Sequence, residues 1–197
     1  MDNIIISPAT RSDAADLAIL DNVASHGLSM WFWQSEVDNG HAEDAFSLGR
    51  QRFGGDDMFG WKNAAIGRVN GTVVGSVTGY VMPEGDDGDA DKIKQTVPPF
   101  VPVFELFEHA IGSFFIDSMA VYEEFRGCGF GKSLFQYMMQ HGRESGHKRV
   151  MLVCEDTNQP ALKLYQASGF NIVDDRPYIS FGNKNNVNKW LLMAAEY

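Results

Sequence analysis

Cysteine is scarce in this chain. Cys128 and Cys154 are the only two in 197 residues, too few for a disulfide framework. One sits in a glycine turn and the other at the end of an apolar run, positions that do not suit a structural bridge. No Cys/His pairing has zinc-ligand spacing, and neither a His nor an acid flanks Cys128 to act as its base, so Cys128 reads as turn filler. Long apolar runs are missing too: none approaches the ~18 residues of a membrane span. Residues Met1–Pro8 have neither the basic region nor the apolar length of a secretory signal, so the cytoplasm is the expected compartment. Positive charge is the third scarcity. With 16 basic against 26 acidic residues, the net charge of −10 argues against nucleic acid or an anionic membrane as partner. It suits an amine substrate, although solubility alone would explain it.

What remains is an ordinary globular composition, 44% hydrophobic and 21% charged. The length fits one domain with a sizeable core, here residues 1–197. Ile4-Ile5-Ile6 predicts a first strand, and Thr10 or Ser12 can cap a helix running to about Ser25. Leu28 to Phe53 reads as helical and aromatic-rich, and on their own Trp31, Phe32 and Trp33 read as core. Asn63 to Val69, Asn70-Gly71 and Thr72 to Met82 form a hairpin with a two-residue type I′ turn, and Gly75 and Gly79 imply a bulge or a close backbone approach. Asp87, Asp89 and Asp91 have the alternate spacing of a calcium loop. Lys92 and Pro98, however, stand where its glycine and bidentate glutamate belong, so a solvated acidic loop is expected and no metal. A helix over Val101 to His109, strands over Ser113 to Val121 and Arg149 to Glu155, and a last strand over Lys189 to Glu196 complete the pattern. The expectation is an α/β layered single domain whose mixed sheet is flanked by helices.

Between strand and helix lies Arg126-Gly127-Cys128-Gly129-Phe130-Gly131-Lys132-Ser133. Glycines let backbone N–H groups converge, and a helix start turns its unpaired N–H groups and positive dipole end outward, so the segment reads as an anion cradle for a phosphate or pyrophosphate. Two common phosphate loops fail on spacing. A Walker A loop ending at Ser133 needs glycine where Arg126 stands, and a dinucleotide fingerprint starting at Gly127 needs glycine where Lys132 stands. In the following helix Phe130, Leu134 and Met138 share one face.

Arg-Gly-x-Gly-x-Gly after a strand resembles the acyl-CoA loop of the GNAT superfamily of N-acetyltransferases. A second pattern, Asn158 to Phe170, resembles that superfamily's Asn-x-x-Ala-x-x-Leu-Tyr-x-x-x-Gly-Phe signature and follows its strand at the expected distance. The resemblance is close over about Ser113 to Tyr178. It implies a GNAT-like acyl-CoA N-acyltransferase fold in which the strands at Phe114 to Val121 and Val150 to Cys154 run parallel but splay apart. It also implies acetyl-CoA as cosubstrate, a small-molecule or peptide amine as acceptor, a substrate-facing position for some of Trp31, Phe32 and Trp33 as the alternative to core, and a homodimer as an alternative to a monomer.

By the same resemblance, Met119, Ala120 and Val121 meet the pantetheine arm through the strand backbone. Arg126, Gly127, Cys128, Gly129, Phe130, Gly131, Lys132 and Ser133 hold the pyrophosphate, although Lys132 can equally point into solvent. Asn158 contacts the cofactor, caps its helix, or does both. Tyr165 matches the tyrosine that gives a proton or hydrogen bond to the CoA sulfur, with simple packing on its helix face as the alternative. Transfer also needs a base to neutralise the amine. Glu105 is the first candidate, then Glu155, with Glu108 beside them, while Asp117 and Ser118 could contact the acceptor. Two rival readings stay open: a non-catalytic acyl-CoA-binding module or sensor, and, more remotely, a nucleotide-binding protein.

Overall fold

A computed structural model describes residues 3–84, 97–182 and 186–197. The acidic stretch containing Asp87, Asp89 and Asp91, and residues 183–185, lie outside the described residues. The strands are β1 (Ile5–Pro8), β2 (Ala64–Val69), β3 (Thr72–Val81), β4 (Phe114–Val121), β5 (Arg149–Glu155), β6 (Asn171–Pro177) and β7 (Lys189–Glu196). The helices are α1 (Ala14–Ala24), α2 (Leu28–Asp38), α3 (Ala45–Gly54), α4 (Val101–Glu108), α5 (Phe130–Glu144) and α6 (Gln159–Ala167). Together they make a mixed seven-stranded sheet, ordered β1-β2-β3-β4-β5-β7-β6, with flanking helices. The chain divides into two compact units, Met1–Tyr80 with Ile116–His141 and Val81–Phe115 with Gly142–Tyr197.

In the first unit the predicted hairpin is present. Asn70 and Gly71 both take positive φ, +50° and +84°, the signature of a type I′ turn, and β2 and β3 pair antiparallel on either side. The register slips between Gly67 and Arg68, so the bulge expected near Gly75 lies next to it. A Cβ at Gly75 would stand 2.5 Å from the Ala120 carbonyl oxygen and 3.0 Å from Leu134 Cδ1. Backbone cannot yield as a side-chain tip can. Gly75→Ala is therefore expected to cost about 1–3 kcal/mol, the usual overpacking range, read as a lower denaturation midpoint at unchanged slope.

The long aromatic segment resolves into two helices. Asp44 caps the second, accepting a 2.6 Å hydrogen bond from the Ser47 N–H. Trp33, 2% exposed, fills the core beside Leu17, Ala18, Phe53 and Ile66. Its ring would lie 2.6 Å from a Cβ at Gly49, so α2 and α3 approach closely only because that residue is glycine. Trp33 is therefore packing, and Phe32 is half-buried against the same core.

In the second unit β7 pairs antiparallel with β5 on one side and β6 on the other, around Met151, Leu152, Leu192 and Met193, all buried. The parallel ladder of β4 with β5 comprises two pairs, Phe114↔Val150 and Phe115↔Met151. Strand β6 is the element that the sequence did not announce. It is an edge strand with no buried residue, Asn171-Ile172-Val173-Asp174-Asp175-Arg176-Pro177, with a register shift between Ile172 and Asp174. Charge, an irregular ladder and a terminal proline blunt an edge, and they also hide it from a reading that looks for apolar alternation.

Candidate active site

The cradle grows from the end of β4 in the first unit. The Tyr122 N–H donates to the Val74 carbonyl (3.0 Å), a one-turn 3₁₀ segment spans Glu123–Phe125, and the chain then enters the glycine turn. Gly127 and Gly129 sit at φ +79° and +83°, with nothing within 4 Å of a built Cβ. A side chain there would meet no neighbour, so the backbone conformation is what calls for glycine. Helix α5 follows directly, and the Ser133 N–H returns to the Gly129 carbonyl at 3.2 Å. The amides that precede Ser133 in this first turn have no carbonyl one turn back to pair with, so they point out of the helix. Phe130 anchors the turn from below, buried with Val69 and Val74 and packed by Ile4, Val121 and Phe125. The Arg126 Nε donates to the Val121 carbonyl (3.2 Å), and Arg126, Cys128 and Lys132 are exposed. Gly131 has an ordinary contact to Val121, and Met119 and Val121 are half-buried while Ala120 is buried. Strand, turn and helix start thus bring the predicted residues of 119–133 into one continuous segment.

The same unit holds a polar cluster that the sequence did not reveal. Asp117, on β4 two residues before Met119, interacts with the Tyr80 hydroxyl of β3, with Asp21 of α1 and with Arg52 of α3. Burial, and then the negative charge of Asp21, push the Asp117 carboxyl up to about 7, against the opposing pull of Arg52 and the Tyr80 hydroxyl. Asp21 is raised as well, first by burial, while hydroxyls favour its charged form: Ser29 Oγ donates to it at 2.6 Å, and Ser118 hydrogen-bonds to it. Arg52 stacks on the Phe59 ring at 3.8 Å, and Phe59 meets Tyr80 edge-to-face at 5.7 Å. Tyr80 is 4% exposed, and desolvation followed by Asp117 raises its hydroxyl far above the usual tyrosine range. Asp117 and Asp21 keep part of their surface open to solvent while protein surrounds the rest, the setting in which a carboxyl can titrate near neutrality and still be reached.

The second unit carries the other candidates. Tyr165, 9% exposed on α6, packs on Phe170 at 6.0 Å, and burial with the nearby Cys154 raises its hydroxyl well above the usual range. Burial and the adjacent Glu155 push the Cys154 thiol up to about 12, so it stays protonated. Asn158 does cap α6, its side chain accepting from the Ala161 N–H at 3.3 Å, with Pro160 in the first turn. Glu155 ends β5 opposite Trp190 and is 5% exposed. Glu105 is paired with Arg176. Its Oε2 accepts from Arg176 Nε at 2.9 Å, and Arg176 also holds Asp174, which pairs in turn with His109 at 2.7 Å. Glu108 is exposed. Among the described residues no group of three or more His, Cys, Asp or Glu could hold a metal ion, and no helix is long and apolar enough to cross a membrane.

Both signatures thus sit where strand, turn and helix were expected, and known proteins agree. The profile of the acetyltransferase (GNAT) family matches residues 25–170. The chain belongs to that family. A curated relative, the peptidyl-lysine N-acetyltransferase YiaC of Escherichia coli K12, is 48% identical over 46 residues, which cover 23% of this chain and only 28% of that protein. Among solved structures, a Drosophila melanogaster polyamine N-acetyltransferase that forms N-acetylagmatine superposes with a TM-score of 0.71 at 13% identity, covering 99% of this chain and all of that one. The putative acetyltransferase yncA of Salmonella typhimurium, solved with acetyl-CoA, gives 0.59 at 17% identity over 98% and 94% of the two chains. At such identities these structures show the fold.

Proposed function

We propose that this protein, over residues 1–197, is an acetyl-CoA-dependent N-acetyltransferase acting on a primary amine. The observation that carries the reading is the cradle: two glycines at positive φ, open above their Cα atoms, leading into the first turn of α5 directly after β4. Such a turn fits a diphosphate, because the converging amides and the helix dipole favour negative charge. Arg126 and Lys132 add positive charge at its rim, and the backbone of Met119, Ala120 and Val121 is assigned to the pantetheine arm by the family resemblance.

Acetyl-CoA supplies an activated carbonyl on a thiol leaving group. The amine nitrogen bonds to that carbon, the carbon–sulfur bond breaks, and the proton lost by the amine is balanced by one gained by the thiol. Asp117 is assigned the first proton transfer. Its raised carboxyl matches the working pH, whereas Glu105 is held by Arg176. Tyr165 is assigned the second, and Asn158 orients the helix that carries it. Glu155 is assigned a place beside the thioester carbonyl.

Calorimetry with acetyl-CoA tests the cradle, and thiol release over an amine panel tests the reaction. Gly129→Val forces a branched side chain into the left-handed region, which costs about 1–2 kcal/mol per residue, so acetyl-CoA affinity is expected to fall about tenfold. A wild-type protein that binds ATP as well as acetyl-CoA would return the turn to general nucleotide binding. Binding of acetyl-CoA without thiol release to any amine would make the chain a sensor rather than an enzyme.

A further inference from the structure

The exposed part of the cradle has little beside it to set its shape. Among residues 123–129 only Phe125 is half-buried, and Gly127 and Gly129 have no side chains to pack. The form of the turn is therefore set at its two ends. Phe130 is the apolar anchor at the far end, buried with Val69 and Val74. At the near end stands Tyr122, whose polar groups are each bonded to a different element. Its N–H donates to the Val74 carbonyl of β3 at 3.0 Å, and its carbonyl accepts the Phe125 N–H of the 3₁₀ turn at 3.0 Å. Its hydroxyl donates to Asp16 Oδ1 of α1 at 2.9 Å. Burial, and then this bond to Asp16, hold the Tyr122 phenol above the usual tyrosine range, so it keeps the proton that it donates. Asp16 is seated in its turn. Asp13, at the N-cap of α1 and on the same helix face, accepts the Thr10 N–H at 2.8 Å and pairs with Arg68 of β2. The Arg126 guanidinium is set from the same joint, because its Nε donates to the carbonyl of Val121, the residue before Tyr122.

We propose that Tyr122 and Asp16 are a positioning pair for the donor substrate: their hydrogen bond fixes where the glycine turn begins and so holds its amides and Arg126 in place for the diphosphate of acetyl-CoA. Neither residue needs to touch the cofactor. Without the bond the turn still forms, because Phe130 and the two glycines remain. It then samples positions that bound acetyl-CoA must exclude, and that ordering opposes binding. The effect belongs to a donor that carries the diphosphate and not to the acyl transfer itself.

This inference rests on the cradle holding acetyl-CoA, and the experiment keeps the two claims apart. Acetyl-CoA binding is measured by calorimetry on the full chain and its variants. Tyr122→Phe and Asp16→Ala remove the bond from opposite ends, so either serves if the other fails to fold. Each is expected to weaken acetyl-CoA about three- to tenfold, the span of one net hydrogen bond. The double variant should bind no more weakly than either single one, because both changes remove the same bond. Asp16→Asn keeps an acceptor oxygen and should bind as the wild type does. In transfer to whichever panel amine the wild type acetylates best, the two bond-breaking variants should raise KM for acetyl-CoA and leave kcat nearly unchanged. With S-acetylpantetheine, a donor that ends before the diphosphate, their kcat/KM should equal that of the wild type. Wild-type affinity in both single variants, or losses that add in the double one, would overturn the pairing. An equal loss with S-acetylpantetheine would make the bond a support of the fold and remove it from the cradle. A wild type that binds no acetyl-CoA would overturn the reading of the cradle itself, and the role of the pair with it.

Discussion

Asp117→Asn is expected to lower turnover by about 10²- to 10⁴-fold, the range of a single general base, while leaving acetyl-CoA affinity unchanged. The asparagine keeps the shape and the contact with Tyr80 but cannot take a proton. The wild-type acid limb of kcat/KM should lie at about 7 and vanish in the variant. Glu105→Gln, by contrast, should disturb the ion pair with Arg176 and leave that limb in place. Should Glu105→Gln flatten the limb while Asp117→Asn does not, the base belongs on α4 instead.

The same substitution carries a stability signature of opposite sign. A carboxyl whose folded value is raised binds its proton more tightly in the native state than in the unfolded chain. The native state therefore loses stability as pH rises from the unfolded value, about 4, to the folded value, about 7, and does not regain it above that. Asparagine mimics the protonated form at every pH. Asp117→Asn should accordingly match the wild type in stability at about pH 4 and exceed it at pH 8, read from denaturation midpoints at the two values. An inactive variant that is more stable than its parent is the behaviour of a functional group kept at a cost to the fold. Equal stability at both values would mean that Asp117 is not raised.

How legible the site was depends on whether its parts are contiguous. Gly127, Gly129 and the α5 start lie within a few residues of one another, so backbone geometry and sequence spacing are the same information. The same holds for Asn70-Gly71 and for the signature from Asn158 to Phe170. Asp21, Arg52 and Tyr80 meet Asp117 from positions 21, 52 and 80. No local period or turn rule links them, and Asp21 in particular sits on α1 as any surface acid would. The ion pair of Glu105 was hidden for the same reason: its partner Arg176 is 71 positions away, on the edge strand that the sequence did not announce. Trp33 shows the limit of reading an aromatic stripe, because the residue that decided its fate is Gly49, which lets the two helices close over the ring.

Tyr165→Phe probes the other proton. The ring packs on Phe170 and the hydroxyl is buried, so phenylalanine should fold without penalty and retain acetyl-CoA. Turnover should drop by about 10²-fold, the low end for acid catalysis, because a thiolate is already a fair leaving group. Burial keeps the tyrosine protonated throughout the accessible pH range, so the loss should be constant with pH, unlike the Asp117 variant, whose defect changes the profile. A donor thioester with a more acidic thiol should need less help and shrink the difference between Tyr165→Phe and wild type. Equal turnover of the two proteins with acetyl-CoA would remove Tyr165 from the chemistry and leave it as a packing residue of α6. A loss confined to acetyl-CoA binding would make the hydroxyl a contact for the cofactor rather than a proton donor.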